Sequence, residues 1–320
     1  MKLKTELLDT YNDMLELKAS LGYNKDTYRL NIVSLIEYFE EYFPDANELT
    51  KDMVDGWLMS QNFKTENTRR LTIINLRHFT KYINAIGEKS FVPGSDYNVK
   101  SNRFIPYIFS DSELKSLFNA IDDIKHCPKT HVEMMVPLIF RMQLCCGMRP
   151  NEPLNLKITD INLKSGDIFI RKTKKRKDRH IMMSEDMRKL CNVYNSIAGK
   201  REWFFPFWHN GKIPADWTRR QFNIAWTKSD TRLLKEKNPR PYDLRHNFAT
   251  RTLMRWIDEK RDIMTLMPYL CEYMGHACLK DTLYYIHLLP EKLKKSSGID
   301  WDMLKSIYPN TAREVCNYED

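Results

Sequence analysis

A short segment of turn-forming residues at positions 91–98 divides this 320-residue chain into two parts. The segment reads Phe-Val-Pro-Gly-Ser-Asp-Tyr-Asn, and its proline, glycine, serine, aspartate and asparagine interrupt regular structure. A chain of this length that is 42% hydrophobic has enough apolar residues for two cores of ordinary domain size. We therefore predict an interdomain linker at residues 93–104 with a domain on either side, although an ordinary loop is the simpler alternative.

Residues 1–92 carry the hydrophobic spacing of α-helices. Apolar residues repeat with the helical period from 28 to 39, and Pro44 ends that helix. Thr50 is placed to cap the next helix, and a further helix is predicted from about 65 to 86. Six apolar residues of this last helix are expected to face a core: Leu71, Ile74, Leu76, Phe79, Ile83 and Ile86.

The same predicted helix carries a basic stripe. Arg70, Arg77 and Lys81 fall at i, i+7 and i+11, on one polar face. A solvated face is the simplest interpretation of such a pattern on an isolated helix. The whole chain has a formal net charge of +9, which favours an acidic partner without fixing a function. Beside the motifs described below, contact with DNA phosphates is the preferred interpretation of the stripe.

Residues 105–300 combine helices with one stretch of strand pattern. Ser110 and Glu113 form a capping box at the start of a helix, and a buried helix is predicted at about 134–146. Residues 161–183 then alternate apolar and polar side chains around a turn, which predicts a β-hairpin or small sheet. Helices resume after the turn, and residues 301–320 form a C-terminal tail. The predicted fold is therefore mostly α with a small β-sheet.

The cysteines indicate neither disulfides nor a metal site. The chain has seven cysteines and no Cys-x-x-Cys pair, which favours reduced thiols in a cytoplasmic protein. Cys145 and Cys146 lie in an apolar run and are expected to pack as small core residues. Cys271, His276 and Cys278 lack a fourth ligand at suitable spacing, so no metal is expected. No apolar stretch is long enough to predict a membrane span.

The turn of the predicted hairpin is strongly basic. Seven of the nine residues from Arg171 to Arg179 are lysine or arginine. Such a turn repels itself unless an anion neutralises it, so we expect it to contact DNA. A solvated charge run remains the alternative for most of its members. The expected contacts with DNA in this turn are Lys172, Lys175, Arg176 and Lys177.

Four separated motifs supply residue types suited to phosphoryl transfer. Arg149 follows a glycine that can end a helix, Tyr242 and Arg245 share one helical face, and His276 and Tyr285 come later in the chain. Transfer of a phosphoryl group to tyrosine requires that the phenol lose its proton and that positive donors hold the pentacoordinate phosphate. Each motif alone is a weak signal, but their joint order and spacing are specific.

In that order and spacing the motifs resemble those of the tyrosine recombinases of the phage-integrase type. The resemblance implies a helical core-type DNA-binding domain followed by an α+β catalytic domain. It implies site-specific cleavage and rejoining of DNA through a 3′-phosphotyrosyl intermediate, with no cofactor and no divalent metal. The implied partner is double-stranded DNA with specific recombination sites, bound by a homotetramer on paired sites.

The resemblance also implies roles for individual residues. Arg149 and Arg245 would clamp the scissile phosphate, and Glu152 would orient an arginine or another donor. His276 would donate a hydrogen bond to the phosphate and assist removal of the tyrosine proton. Tyr285 would be the nucleophile.

Two of the implied donors carry reservations. Tyr242 stands where the family most often has histidine; a phenol can still donate to a phosphate oxygen, but it is a poor proton shuttle near pH 7. Lys174 would protonate the leaving 5′ oxygen, with Lys172 and Lys175 as close alternatives in the same turn. His246 is expected to be a supporting or structural histidine, because a satisfied core histidine is the commoner case.

The region around the nucleophile leaves two choices open. Tyr284 competes with Tyr285, but neighbouring residues on a helix diverge by about 100°, and the family spacing favours Tyr285. Beyond it, Trp301, Leu304 and Tyr308 form an apolar helical stripe. The stripe packs either on its own domain or, as in the family, on a neighbouring protomer.

Two other functions remain as alternatives at this point. A type IB topoisomerase uses similar chemistry to relax DNA as a monomer, and a catalytically silent accessory protein would only bind DNA. Retention of both arginines, the turn lysine and Tyr285 argues against the silent protein. The compact helical N-terminal part and the acidic C-terminal tail favour recombination over relaxation. The choice between a phage, a transposon and a chromosomal system stays open.

Overall fold

The computed structural model describes residues 3–29, 31–99, 105–124, 131–171, 178–207, 211–229 and 238–289. The chain separates into two units, and the boundary lies between residues 104 and 105. The predicted residues Lys172, Lys174, Lys175, Arg176 and Lys177 lie outside the described residues, as do Trp301, Leu304 and Tyr308. None of the helices in the described ranges is long and apolar enough to cross a membrane.

The first unit is built from helices. In chain order they are α1 (Leu3–Ser20), α2 (Ile32–Tyr42), α3 (Lys51–Ser60) and α4 (Glu66–Ala85), with short 3-10 helices at Lys25–Tyr28 and Ser95–Tyr97. Thr50 accepts a hydrogen bond from the backbone N–H of Met53 at 3.4 Å, which confirms it as the cap of α3. Thr65 caps α4 in the same way through Thr68 N at 3.1 Å.

The core face of α4 is rotated from the sequence-based expectation. Ile73 is buried, whereas Ile74 is only partly buried, and Ile86 is 50% exposed. The prediction that Ile86 faces the core is therefore wrong. The physical reason is that α4 ends at Ala85, so Ile86 is the C-cap and its side chain leaves the helical face. Leu76, Phe79 and Ile83 are buried as predicted.

One residue of the predicted basic stripe has a structural partner. The guanidinium of Arg77 donates hydrogen bonds to the carbonyl oxygens of Pro93 at 2.9 Å and Gly94 at 2.5 Å, and to Asn98 Oδ1 at 2.8 Å. The phenol of Tyr97 donates to Asp55 Oδ1 in the same region. Residues 93–98, part of the predicted linker, are thus fixed to the first unit, and Arg77 serves that contact.

The second unit combines helices with a three-stranded antiparallel sheet. Its helices are α5 (Asp111–Asp122), α6 (Val132–Cys145), α7 (Glu185–Ile197), α8 (Trp217–Lys228), α9 (Pro241–Asp258), α10 (Ile263–Met274) and α11 (Leu279–Leu283), followed by a 3-10 helix at Tyr284–Leu288. The strands are β1 (Ile161–Asn162), β2 (Asp167–Ile170) and β3 (Arg179–Met182), in the order β1-β2-β3. The predicted fold class, mostly α with a small sheet, is confirmed.

Burial alternates along the strands of the sheet. Ile168 pairs with Ile181 across β2 and β3, and both are buried, while His180, next to Ile181 in β3, is exposed. The capping box predicted at Ser110 and Glu113 is present at the start of α5. Of the two cysteines predicted to pack in the core, Cys146 is buried but Cys145 is exposed, because adjacent helical residues point about 100° apart.

Candidate active site

The first two turns of α9 carry three of the predicted site residues, Tyr242, Arg245 and His246. Pro241 occupies the start of the helix, and Asp243 accepts a hydrogen bond from the backbone N–H of Arg240 at 2.7 Å. These two features fix where the helix begins. Tyr242 and His246 are therefore one turn apart on the same face, with ring centroids separated by 5.0 Å.

Arg245 is the most buried charged group of this turn, with no exposed surface. Its guanidinium donates to the carbonyl oxygen of Gly147 at 2.5 Å and also to that of Met274. The two carbonyls lie just beyond α6 and at the end of α10. Arg245 thus joins three helices, and its Nε is buried with no hydrogen-bond partner among the described residues.

Gly147 allows the chain to turn into the site after α6. It adopts φ +63°, a left-handed conformation that favours glycine. A Cβ at this position would approach the ring of Phe248 to 2.5 Å, so a side chain is also excluded by space. This glycine was predicted to end the helix, and α6 does end two residues before it. Arg149 follows directly after this turn.

Arg149, Glu152 and Arg179 form a buried ion network. Glu152 accepts hydrogen bonds from Arg149 N and Nη1 at 2.8 and 2.9 Å, and from both terminal nitrogens of Arg179 at 2.8 and 2.7 Å. Burial raises the pKa of Glu152, but the arginines outweigh it and hold the pKa below its usual value. Glu152 was expected from the sequence to orient an arginine. The sequence did not single out Arg179, which was counted only among the basic residues of the turn.

The end of α10 supplies the next residues of the site. Gly275 is the C-cap of α10 at φ +64°, a left-handed conformation that favours glycine. Its carbonyl accepts a hydrogen bond from Arg149 Nη2 at 2.7 Å, 126 residues away in sequence. His276 follows, and its Nδ1 lies 2.7 Å from the hydroxyl oxygen of Thr282. Thr282 was not identified from the sequence.

Tyr285 lies in the 3-10 helix after α11 and is 2% exposed. Its hydroxyl oxygen is 3.1 Å from Nδ1 of His246, and its ring stacks on that of His276 with centroids 6.0 Å apart. Tyr284 is partly buried, and its ring is tilted 60° from that of Tyr285. The structure therefore brings Tyr285 into contact with both histidines.

The site is cationic, and several of its side chains are buried. Burial lowers the pKa of Arg245, and nearby Arg149 adds to this effect. Burial also lowers the pKa of His276 to about 2, with further lowering by Arg245, Arg149 and Arg179. Burial raises the pKa of the Tyr285 phenol, against the opposing field of Arg245 and Arg149. A phosphate would be stabilised here because its negative charge would compensate the positive charges of the buried arginines.

The two buried histidines predict acid sensitivity. Burial lowers the pKa of His246 to about 3 and that of His276 to about 2, whereas the unfolded chain protonates both near 6.5. Below that pH the unfolded state binds the protons first, so the free energy of unfolding falls by up to about 1.4 kcal/mol per pH unit for each histidine. Urea unfolding between pH 7 and 5 measures this slope. Replacing both histidines with asparagine should remove that contribution; an unchanged slope would contradict it.

Residues 108–292 match the model of a family described as the phage integrase family. A tyrosine recombinase, XerA of Pyrococcus furiosus, is 26% identical over 303 residues, which cover 92% of this chain and 93% of XerA.

Two solved structures are similar in fold. XerH bound to a palindromic difH substrate in a post-cleavage complex has a TM-score of 0.64 at 22% identity, over 87% of this chain and 80% of XerH. A lambda integrase tetramer bound to a Holliday junction has a TM-score of 0.63 at 16% identity, over 87% of this chain and 78% of the integrase.

Proposed function

Because this chain belongs to the phage integrase family, we infer that it is a site-specific DNA recombinase, and we propose that Tyr285 carries out strand exchange through a 3′-phosphotyrosyl intermediate. The observation that carries the proposal is the convergence of three groups from distant parts of the chain. Arg149 and Arg245 both bind carbonyls at the end of α10, and the Tyr285 phenol lies within their electrostatic field. This is a nucleophile beside two fixed cations.

The chemistry follows from that arrangement. Tyr285 Oη attacks the scissile phosphorus, the bond from phosphorus to the 5′ oxygen breaks, and the phenolic proton leaves. Arg149 and Arg245 offset the negative charge that grows on the non-bridging oxygens, and His276 and Tyr242 donate hydrogen bonds to them. A 5′-hydroxyl from another strand then attacks the phosphotyrosine and releases Tyr285. The phosphodiester energy is conserved, so the cycle requires no nucleotide cofactor.

Lys174 is proposed to protonate the leaving 5′ oxygen. Lys174→Ala should reduce the cleavage rate by on the order of 10²-fold or more, with little loss of binding because the neighbouring basic residues remain. A substrate with a 5′-thio leaving group requires little protonation and should restore the rate.

A failure of the 5′-thio substrate to rescue Lys174→Ala would reject that role. Lys172→Ala and Lys175→Ala are the matched controls, since they remove the same charge from the same turn. Rescue of one of these variants in place of Lys174→Ala would reassign the general acid to that lysine.

The partners of the protein are proposed from its relatives. XerH and lambda integrase are bound to DNA in their solved structures, and the lambda integrase assembly is a tetramer. We propose that this chain likewise binds double-stranded DNA and assembles as a homotetramer on paired sites in the cytoplasm. Residues 1–92 are proposed as the core-type DNA-binding domain and 105–300 as the catalytic domain. Arg70 and the exposed Lys81 of α4 are proposed to contact phosphates.

A covalent trap tests the proposed function. Duplexes selected for binding from a randomised pool are nicked near the cleavage position, so that a short strand diffuses away and the covalent complex accumulates. Wild-type protein should give an adduct that resists denaturant and should join strands between two duplexes. Binding without any adduct would reject the proposal in favour of a silent DNA-binding protein. Relaxation of supercoiled plasmid by the monomer without strand exchange would indicate a topoisomerase.

A further inference from the structure

The hydroxyl group of Tyr285 has a specific partner in this structure. His246 Nδ1 lies 3.1 Å from Tyr285 Oη, within hydrogen-bonding range, and the two ring centroids are 5.6 Å apart. The two residues come from α9 and from the 3-10 helix after α11, which pack together. A histidine nitrogen at this distance from a phenol can either accept its proton or hold it in place.

We propose that His246 is a catalytic residue that accepts the proton of Tyr285 as this phenol attacks the DNA phosphate. The inference rests on the proposed function, because it assigns the proton acceptor for the same nucleophile. Sequence analysis expected His246 to be supporting or structural. Its contact with the reacting oxygen gives it the position of a general base, provided that Nδ1 is the unprotonated nitrogen of the neutral ring.

The surroundings of His246 keep it neutral before DNA binds. Burial is the main cause that lowers its pKa, and the charges of Arg240 and Arg245 lower it further. The ring of Tyr242 lies beside that of His246, with the two centroids 5.0 Å apart. A neutral imidazole can accept a proton. A bound phosphodiester offsets the arginine charges, which raises the basicity of His246 when the substrate is in place.

His276 is placed differently with respect to the same phenol. Its ring is nearly parallel to that of Tyr285, with an interplanar angle of 19°, so it presents its face to the tyrosine. Its Nδ1 is 2.7 Å from the Thr282 hydroxyl oxygen, which fixes the ring orientation. These contacts suit a donor to the phosphate. The nitrogen contact with the hydroxyl oxygen of Tyr285 belongs to His246.

The proposed step balances in atoms and charge. The bond from Tyr285 Oη to phosphorus forms while the bond from phosphorus to the 5′ oxygen breaks. The phenolic proton moves to His246 Nδ1, which becomes part of an imidazolium. Lys174 is proposed to protonate the leaving oxygen. In the rejoining step the incoming 5′-hydroxyl gives its proton to the neutral Lys174 and replaces Tyr285 at phosphorus. His246 returns its proton to the phenolate.

The test compares single-turnover cleavage of the nicked, selected duplex with a 5′-oxygen and with a 5′-thio leaving group. His246→Asn keeps an amide near the position of Nδ1 but removes the basic nitrogen. This variant should bind DNA as the wild type does. Its cleavage rate should be lower by on the order of 10²-fold on both substrates. The defect of Lys174→Ala should disappear with the 5′-thio substrate. The two variants therefore separate proton removal from proton donation.

A matched control is His131→Asn at the opposite end of α6 from the site. His131 is exposed and adopts φ +49°, a left-handed conformation that asparagine tolerates well. It should cleave at the wild-type rate. Near-wild-type cleavage by His246→Asn, beside a wild type that forms the adduct, would overturn the proposal and leave the proposed function intact. Absence of an adduct with the wild type would instead reject the proposed function.

A second variant decides the matter if His246→Asn loses DNA binding through misfolding. His246→Ala opens space beside Tyr285, and added imidazole can enter it. Cleavage that rises with imidazole concentration would support proton transfer by His246. Cleavage that stays at the variant's basal rate, by a protein that still binds DNA, would contradict it.

Discussion

Replacing Tyr285 with phenylalanine is expected to abolish the covalent protein–DNA adduct while DNA binding is retained. Phenylalanine keeps the ring that stacks on His276 and loses only the oxygen that contacts His246. Because that oxygen is the proposed nucleophile, its loss removes the group that forms the bond to phosphorus. Denaturing gel electrophoresis on the nicked duplex measures the adduct, and gel shifts on the intact duplex measure binding.

Tyr284→Phe is the matched control for this prediction. Tyr284 is adjacent in sequence, and its ring centroid is 6.0 Å from that of Tyr285. Each variant therefore removes one hydroxyl oxygen from the same region. Tyr284→Phe should still form the adduct. An adduct with Tyr285→Phe, together with its loss in Tyr284→Phe, would show that the nucleophile had been assigned to the wrong tyrosine.

Glu152→Gln is expected to lower the free energy of unfolding by about 3–5 kcal/mol. The carboxylate of Glu152 is the anion shared by Arg149 and Arg179, and the Arg179 side chain is only 2% exposed. Loss of that negative charge leaves a buried guanidinium without its counter-ion, which costs more than loss of an exposed pair. Urea unfolding at neutral pH measures the change.

Two controls show whether the charge or the packing matters. Glu133→Gln changes an exposed carboxylate on α6 and should alter the free energy of unfolding by less than about 0.5 kcal/mol. Adding Arg179→Met to Glu152→Gln removes the unpaired buried charge and should recover part of the lost stability. A double variant that is less stable than Glu152→Gln alone would mean that Arg179 contributes through its other contact, the carbonyl oxygen of Tyr273.

Local signals explain what the sequence predicted correctly. Thr50 and the pair Ser110–Glu113 cap helices through hydrogen bonds that span only three residues, so the residue pattern alone contains the interaction. The alternation of apolar and polar residues in β2 and β3 indicates which side chains are buried. Ile168 and Ile181 are buried as this pattern indicates. These elements depend on neighbours in sequence.

Contacts between distant residues explain what the sequence did not reveal. Arg179 stands among other basic residues of the predicted turn, yet it is buried beside Glu152, a residue far away in the chain. Arg77 belongs to a basic stripe, yet the carbonyls of residues 93 and 94 bind it. His246 carried no sequence signal that separates a core histidine from one at 3.1 Å from a nucleophile. In each case the sequence identifies the type of side chain, but the partner of that side chain depends on tertiary packing.

Tyr285 is proposed to become linked to a 3′-phosphate of DNA. The most direct measurement is to trap wild-type protein on the nicked duplex, digest the adduct with protease and nuclease, and sequence the nucleotide-bearing peptide by mass spectrometry. End-labelling of the released strand shows which group it carries. We expect a phosphate ester on Tyr285 and a free 5′-hydroxyl on the released strand. A nucleotide on Tyr284 or on another residue, or a linkage through a 5′-phosphate, would contradict it.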